Sequence, residues 1–212
     1  MRFLPEGVEA YTEAHAPAEP ELLQRLNRET HLKVLYPRML SGHYSGRFLA
    51  MMSTLLRPKT ILEVGTYTGY SALCLAEGLA PNGKLHSIDL NPETMALAQR
   101  YIDEAGYTDR VELHEANAVE LLQQRDFAPD LVFLDADKEN YLTYYQAVLP
   151  TMPTGGVILT DNVLWSGKVV DKSYGDGATA ALRAYNSFVH SDERVESIIL
   201  PVRDGITLIR KK

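Results

Sequence analysis

A chain of 212 residues, 45% hydrophobic and 23% charged, is long enough for one large core and too apolar to be disordered. Its formal charge of −7 argues against a phosphate-backbone partner, and the single cysteine, Cys74, excludes an intrachain disulfide. The opening MRFLPEGVEAYTEAH lacks the apolar run of a secretion signal, and no stretch reaches the roughly 18 apolar residues of a membrane span. A cytoplasmic protein with no nucleic-acid or membrane partner is expected.

Residues 1–59 carry no strand pattern, and Glu19 to Leu35 and Gly46 to Leu56 read as helices placed before a sheet. From Thr60 onward short β-branched runs alternate with helical patterns: ILEVG (61–65), KLHSID (84–89), RVELHEA (110–116), DLVFLDA (130–136) and GVILTDN (156–162). Such alternation predicts a parallel sheet wrapped by helices. The helix expected over 70–80 ends at Pro81 and places Cys74 as a small core residue. The next one starts at Asn91 as cap and Pro92 as first residue, then repeats Met95, Ala98, Ile102 and Ala105 before Gly106. VESIILP (195–201) and GITLIRK (205–211) read as an antiparallel hairpin turning at Asp204-Gly205, which brings the candidate strands to seven. Residues 1–212 are expected to form a single domain, with a helical region over 1–59 and the α/β sheet over 60–212.

In open α/β sheets ligands bind beyond the C-terminal ends of the strands. After the first strand comes Glu63-Val64-Gly65-Thr66-Tyr67-Thr68-Gly69-Tyr70-Ser71, where Gly65 permits a tight turn and Gly69 lets the next helix begin against the strand. Tyr67 and Tyr70 stand where a dinucleotide fingerprint would have its second and third glycines, so no pyrophosphate is expected here. Asp89 ends the next strand, 26 residues after Glu63, and suits a ribose whose two hydroxyls donate to one carboxylate. Glu63 suits a cationic amino group, which S-adenosylmethionine has and a bare nucleotide lacks.

Two further strands end in oxygen donors, Asp135 and Asp137 after one and Asp161 and Asn162 after the other. If these strands are neighbours, their ends lie about 4.8 Å apart and Asp135, Asp161 and Asn162 converge. An oxygen-only set suits Mg²⁺ best, with Mn²⁺ or Ca²⁺ as alternatives, and zinc-type His/Cys spacing is missing. Asp137 fits a helix cap at least as well as a ligand. Lys138 beside a cation is a candidate base, since a nearby positive charge lowers an ammonium pKa.

The strings EVGTYTGYSAL, DADKENY, DNVLWSG and LPVRDGITLIR resemble those of the cation-dependent class I O-methyltransferases, the family of caffeoyl-CoA and catechol O-methyltransferases. The likeness runs over nearly the whole chain. It implies a Rossmann-like seven-stranded class I methyltransferase fold, Asp135, Asp161 and Asn162 as metal ligands, and Lys138 with Asp135 as catalytic residues. It also implies S-adenosylmethionine contacts from Ser41, Glu63, Gly65, Thr66, Ser71, Asp89, Ala118, Asp135 and Asp137, with Trp165 and Ser166 on the acceptor side. The front segment LYPRMLSGHYSGRFL departs from the plant enzymes around His43 and Tyr44, to which no role is assigned.

The expected reaction moves a methyl group to a hydroxyl of a small catechol-like or phenolic acceptor, including a CoA ester, in a homodimer. A phenol near pKa 10 needs about 3 units, roughly 4 kcal/mol, to ionise near neutrality, and a divalent ion can supply this. A nicotinamide-dependent oxidoreductase and a non-catalytic S-adenosylmethionine-binding protein are the alternatives.

Overall fold

The computed structural model describes residues 7–212, apart from the Glu9 side chain. The first six residues, on which part of the 1–59 region and the expected absence of a secretion signal rest, lie outside the described residues. The chain divides into two compact units, one running to Asn117 and the other from Ala118 to Lys212.

In the first unit, α1 (Val8–Ala14), α2 (Glu21–Lys33) and α3 (Gly42–Leu56) precede β1 (Thr60–Val64). No sequence pattern marks α1, because its apolar Val8 and Tyr11 are both exposed and form no buried stripe. The α3 helix starts at Gly42, four residues ahead of the expected Gly46.

After β1 come α4 (Tyr70–Ala76), β2 (Lys84–Asp89), α5 (Pro92–Glu104) and β3 (Val111–Glu115). All seven residues of α4 are buried. It stops at Ala76, short of the expected residue 80, because Gly78 and Leu79 donate to Leu75 and Ala76 in tighter i→i−3 turns. The chain there passes hard against α3: a Cβ on Gly78 would sit 2.1 Å from the Ser53 carbonyl carbon. The expected cap of α5 is present, with Asn91 accepting from the Glu93 and Thr94 N–H groups and Pro92 opening the helix.

In the second unit, α6 (Ala118–Gln124), β4 (Leu131–Leu134), α7 (Tyr141–Val148) and β5 (Val157–Asp161) lead to α8 (Gly177–Ser191), β6 (Val195–Leu200) and β7 (Ile206–Lys211). Short 3-10 turns at Lys138–Asn140 and Trp165–Val170 follow β4 and β5. Every residue of β4 and β5 is buried, as in a parallel strand covered on both faces.

The strands form one seven-stranded sheet in the order β3-β2-β1-β4-β5-β7-β6. β1, β2 and β3 pair in parallel, as do β4 and β5. β7 runs antiparallel to both β5 and β6, which is the expected C-terminal hairpin. Among the described residues no helix is long and apolar enough to cross a membrane.

Candidate active site

In the first unit the turn after β1 is built from its own polar network. Gly65 takes φ +106°, a left-handed value open to glycine, and its N–H donates to Ile88 in β2. Beneath it Glu63 is fully buried and accepts from the Ser87 hydroxyl. Ser87 has one proton and spends it there, so the Thr66 hydroxyl is the donor in the Thr66–Ser87 pair. Sequence reasoning missed Ser87; its only signal is a serine inside a buried β-strand.

Asp89 is engaged by backbone N–H groups on both of its oxygens. Its Oδ2 accepts the Tyr67 N–H at 2.7 Å, and its Oδ1 accepts the N–H groups of Leu90 and Asn91 at 2.7 and 3.0 Å. A carboxylate has about four acceptor directions, so Asp89 spends one on the turn after β1 and two on its own loop leading into α5. Tyr67 itself sits at φ +48°, a conformation that a fingerprint glycine would adopt without strain.

Gly69 serves a different neighbour from the one expected. It begins α4 at φ +85°, and a Cβ there would lie 2.9 Å from the Ala98 Cβ of α5, so it closes a helix–helix contact rather than a helix–strand one. Ser71 is buried inside α4, and Ser41 is buried just before α3.

In the second unit Leu134 pairs with Thr160 in parallel register, so Asp135 and Asp161 follow side by side on neighbouring strands. Asp161 is buried, and burial together with the Asp135 charge pushes its carboxyl up to about 7. The Asn162 N–H donates to Asp161 Oδ1 at 2.7 Å and works against that rise. Asn162 adopts φ +60°, a left-handed value that asparagine tolerates better than most side chains.

Lys138, only 9% exposed, donates to Asp135 Oδ1 at 2.9 Å and to the Tyr141 hydroxyl at 2.5 Å. Tyr141 in turn donates to the Asp161 carbonyl at 3.0 Å. Lys138, Asp135, Tyr141 and the end of β5 therefore form one connected cluster. Burial raises the Tyr141 phenol well above its ordinary value, so it stays a neutral donor. Asp137 stands at the start of the 3-10 turn, but its carboxylate accepts from Asn140 Nδ2 and the Tyr144 hydroxyl and makes no backbone cap bond. Its predicted capping role holds in position only.

The loop after β5 is held from the hairpin. Trp165, Ser166 and Gly167 all have positive φ, at 49°, 53° and 80°. The Ser166 N–H donates to Asp204 Oδ1, and Val163 and Leu164 donate to the Gly205 and Asp204 carbonyls. The Trp165 indole N–H is buried with no partner among the described residues, and its ring lies 5.9 Å from both the Lys138 and the Lys168 ammonium. Ala118 is buried at the start of α6.

A family model described as O-methyltransferase matches residues 12–212. The chain belongs to the O-methyltransferase family. This meets the expectation of an S-adenosylmethionine-dependent O-methyltransferase. It is 36% identical over 211 residues to caffeoyl-CoA O-methyltransferase 1 of Eucalyptus globulus, a match covering 92% of this chain and 83% of the relative. Caffeoyl-CoA O-methyltransferase 5 of Nicotiana tabacum is 35% identical, with 92% and 86% covered.

Among solved structures, the SAH-bound methyltransferase PaMTH1 of Podospora anserina superposes with a TM-score of 0.89 at 29% identity, covering 100% of this chain and 99% of that one. The SAH complex of the Bacillus cereus O-methyltransferase gives 0.89 at 27%, covering 97% of each chain. TomG of Streptomyces achromogenes, in complex with SAM, gives 0.87 at 28%, covering 97% of this chain and 96% of TomG. The seven-stranded sheet with its C-terminal antiparallel hairpin is thus the class I methyltransferase fold that was expected.

Proposed function

We propose that this O-methyltransferase transfers the methyl group of S-adenosylmethionine to a hydroxyl of a small phenolic or catechol-like acceptor, with a divalent cation held by Asp135, Asp161 and Asn162. The observation that carries the cation is the acid pair at the ends of β4 and β5. Two carboxylates placed side by side, one buried and raised to about 7, are a poor arrangement by themselves and a good one around a divalent ion. Lys138 offsets one of the two charges. The donors are all oxygens, which favours Mg²⁺, with Mn²⁺ or Ca²⁺ also compatible.

Bound there, the cation would lower the acceptor hydroxyl's pKa from near 10 towards neutrality, worth roughly 4 kcal/mol. Lys138 already donates to Asp135 and Tyr141, which leaves one ammonium N–H for negative charge developing on the acceptor oxygen. This favours an oxyanion-stabilising role for Lys138 over that of a proton acceptor. Trp165, with Ser166 beside it, walls the acceptor side, and its indole N–H, without a partner among the described residues, is a donor for a polar acceptor group.

On the donor side, Glu63 serves the amino group, Asp89 the ribose, and Gly65 and Thr66 the close approach of the turn. Ser41, Ser71, Ala118 and Asp137 complete the cofactor set. The SAH- and SAM-bound structures support this choice of cofactor, and relatives named for caffeoyl-CoA support a phenolic acceptor. We extend the reading to a homodimer, because α2, α3 and the segment between them carry large exposed apolar side chains.

Methyl transfer to catechol with and without chelator tests the assignment. Wild-type activity should fall at least about 100-fold on chelation, the scale of losing one major electrostatic contribution, and return with Mg²⁺. Asp161→Ala should lose the Mg²⁺-dependent rate yet bind SAH in calorimetry as wild type does. Chelator-resistant turnover, or full activity in Asp161→Ala, would refute the cation's role.

A further inference from the structure

β2 and β3 bring together three metal-ligating side chains, none of which belongs to the methyl-transfer set. Parallel pairing sets His86 opposite Glu112 and Ile88 opposite His114. Since alternate residues of a strand share a face, His86, Glu112 and His114 all project to the same side of the sheet.

Their ligand atoms are already close. His86 Nδ1 lies 3.2 Å from His114 Nε2 and 3.4 Å from Glu112 Oε2, and His114 Nε2 lies 3.7 Å from Glu112 Oε1. A tetrahedral ion with bonds of about 2.0–2.1 Å holds its ligand atoms about 3.3–3.4 Å apart. With one ligand atom taken from each residue, the three lie within 4.8 Å of one another, and because the two Glu112 contacts use different oxygens, seating one of them on such an ion takes a rotation of the exposed carboxylate. The two imidazoles are 12% and 11% exposed, while Glu112 is 51% exposed and has room to rotate. β3 is the edge strand of the sheet, so a fourth position can be filled from solvent.

We propose that His86, Glu112 and His114 form a second cation site, selective for zinc-class divalent ions, with water as fourth ligand. Two neutral imidazoles and one carboxylate suit Zn²⁺, whereas the oxygen-only set of Asp135, Asp161 and Asn162 suits Mg²⁺. The sites are thereby distinguished by donor chemistry, and this inference stands whether or not the acceptor assignment holds.

The test is a Zn²⁺ titration of chelator-stripped, tag-free protein against a chromogenic chelator in excess Mg²⁺. A parallel Co²⁺ titration, read in the visible spectrum, reports tetrahedral geometry. One Zn²⁺ per chain is expected in wild type and in Asp161→Ala. His114→Gln and Glu112→Gln should each weaken binding at least tenfold and abolish the tetrahedral Co²⁺ bands. Glu112 is surface-exposed, so its variant remains informative if His114→Gln fails to fold, and thermal melts identify that failure. Zn²⁺ binding equal to wild type in both variants, or lost in Asp161→Ala and kept in them, would overturn the proposal.

Discussion

At the end of β5, burial and the neighbouring Asp135 hold the Asp161 carboxyl up to about 7, while the Asn162 N–H, Lys138 and Arg203 favour its ionised form. A carboxyl whose folded pKa lies above its unfolded value binds its proton more tightly when folded. Its contribution to stability is therefore complete below about 4, is lost as pH rises through about 7, and stays lost above that. In metal-free protein, wild type should melt progressively lower than Asp161→Asn as pH increases from 4 to 8. Parallel melting curves for the two across that range would contradict the buried acid pair. The same proton competes with a cation, so Mg²⁺ affinity should strengthen as pH rises towards about 7 and level off above it. Asp135, Asp161 and Asn162 were visible in the sequence because buried β-branched runs end on them. Tyr141 was not, since its bond to the Asp161 carbonyl spans 20 residues and exists only once α7 packs beside β5.

At the scale of elements, the loop after β5 depends on the turn between β6 and β7. Asp204-Gly205 was readable as a hairpin turn, and the structure gives it a second duty. Gly205 has φ +88°, and a Cβ there would lie 2.4 Å from Leu164 Cγ and 3.0 Å from Leu164 Cβ. Gly205→Ala must therefore both strain the turn and displace Leu164, two residues after Asn162 and one before Trp165. A stability loss of about 1–3 kcal/mol is expected from overpacking and the forced positive φ. Methyl transfer should fall by more than the unfolded fraction explains, with SAH binding unchanged. Wild-type turnover from a destabilised variant would show that the loop tolerates the shift. The seven strands and the closing hairpin were legible from alternating patterns, because each buried strand reads as a short apolar run bounded by turn residues, whereas their order in the sheet was not. The early end of α4 was not, because it follows from Gly78 crossing α3, a contact no local pattern encodes.

At the scale of the whole molecule, α2, α3 and the segment between them bury some apolar side chains and leave other large ones exposed. Leu23, Leu26, Leu49 and Ala50 are in the core, whereas Leu32, Leu35, Tyr36, Met39, Met51 and Leu55 remain exposed, Leu35 to 81% and Leu55 to 73%. Single exposed apolar residues are ordinary, but six within residues 32–55 of a chain with net charge −7 are what the homodimer proposed above would cover. A second copy suits it, because apolar contact there would have to outweigh the mutual repulsion of two like-charged chains, and large aliphatic side chains supply that contact. Light scattering should give twice the 23.7 kDa chain mass for wild type. Leu35→Glu combined with Leu55→Glu should give the single-chain mass. If the side chains faced only water, these substitutions would change folding stability by no more than about 0.5 kcal/mol. A monomer's melting temperature should therefore be nearly independent of them, whereas a dimer's should fall and become dependent on protein concentration. A wild-type protein of single-chain mass at micromolar concentration would remove the dimer from this reading and leave the methyl-transfer assignment intact.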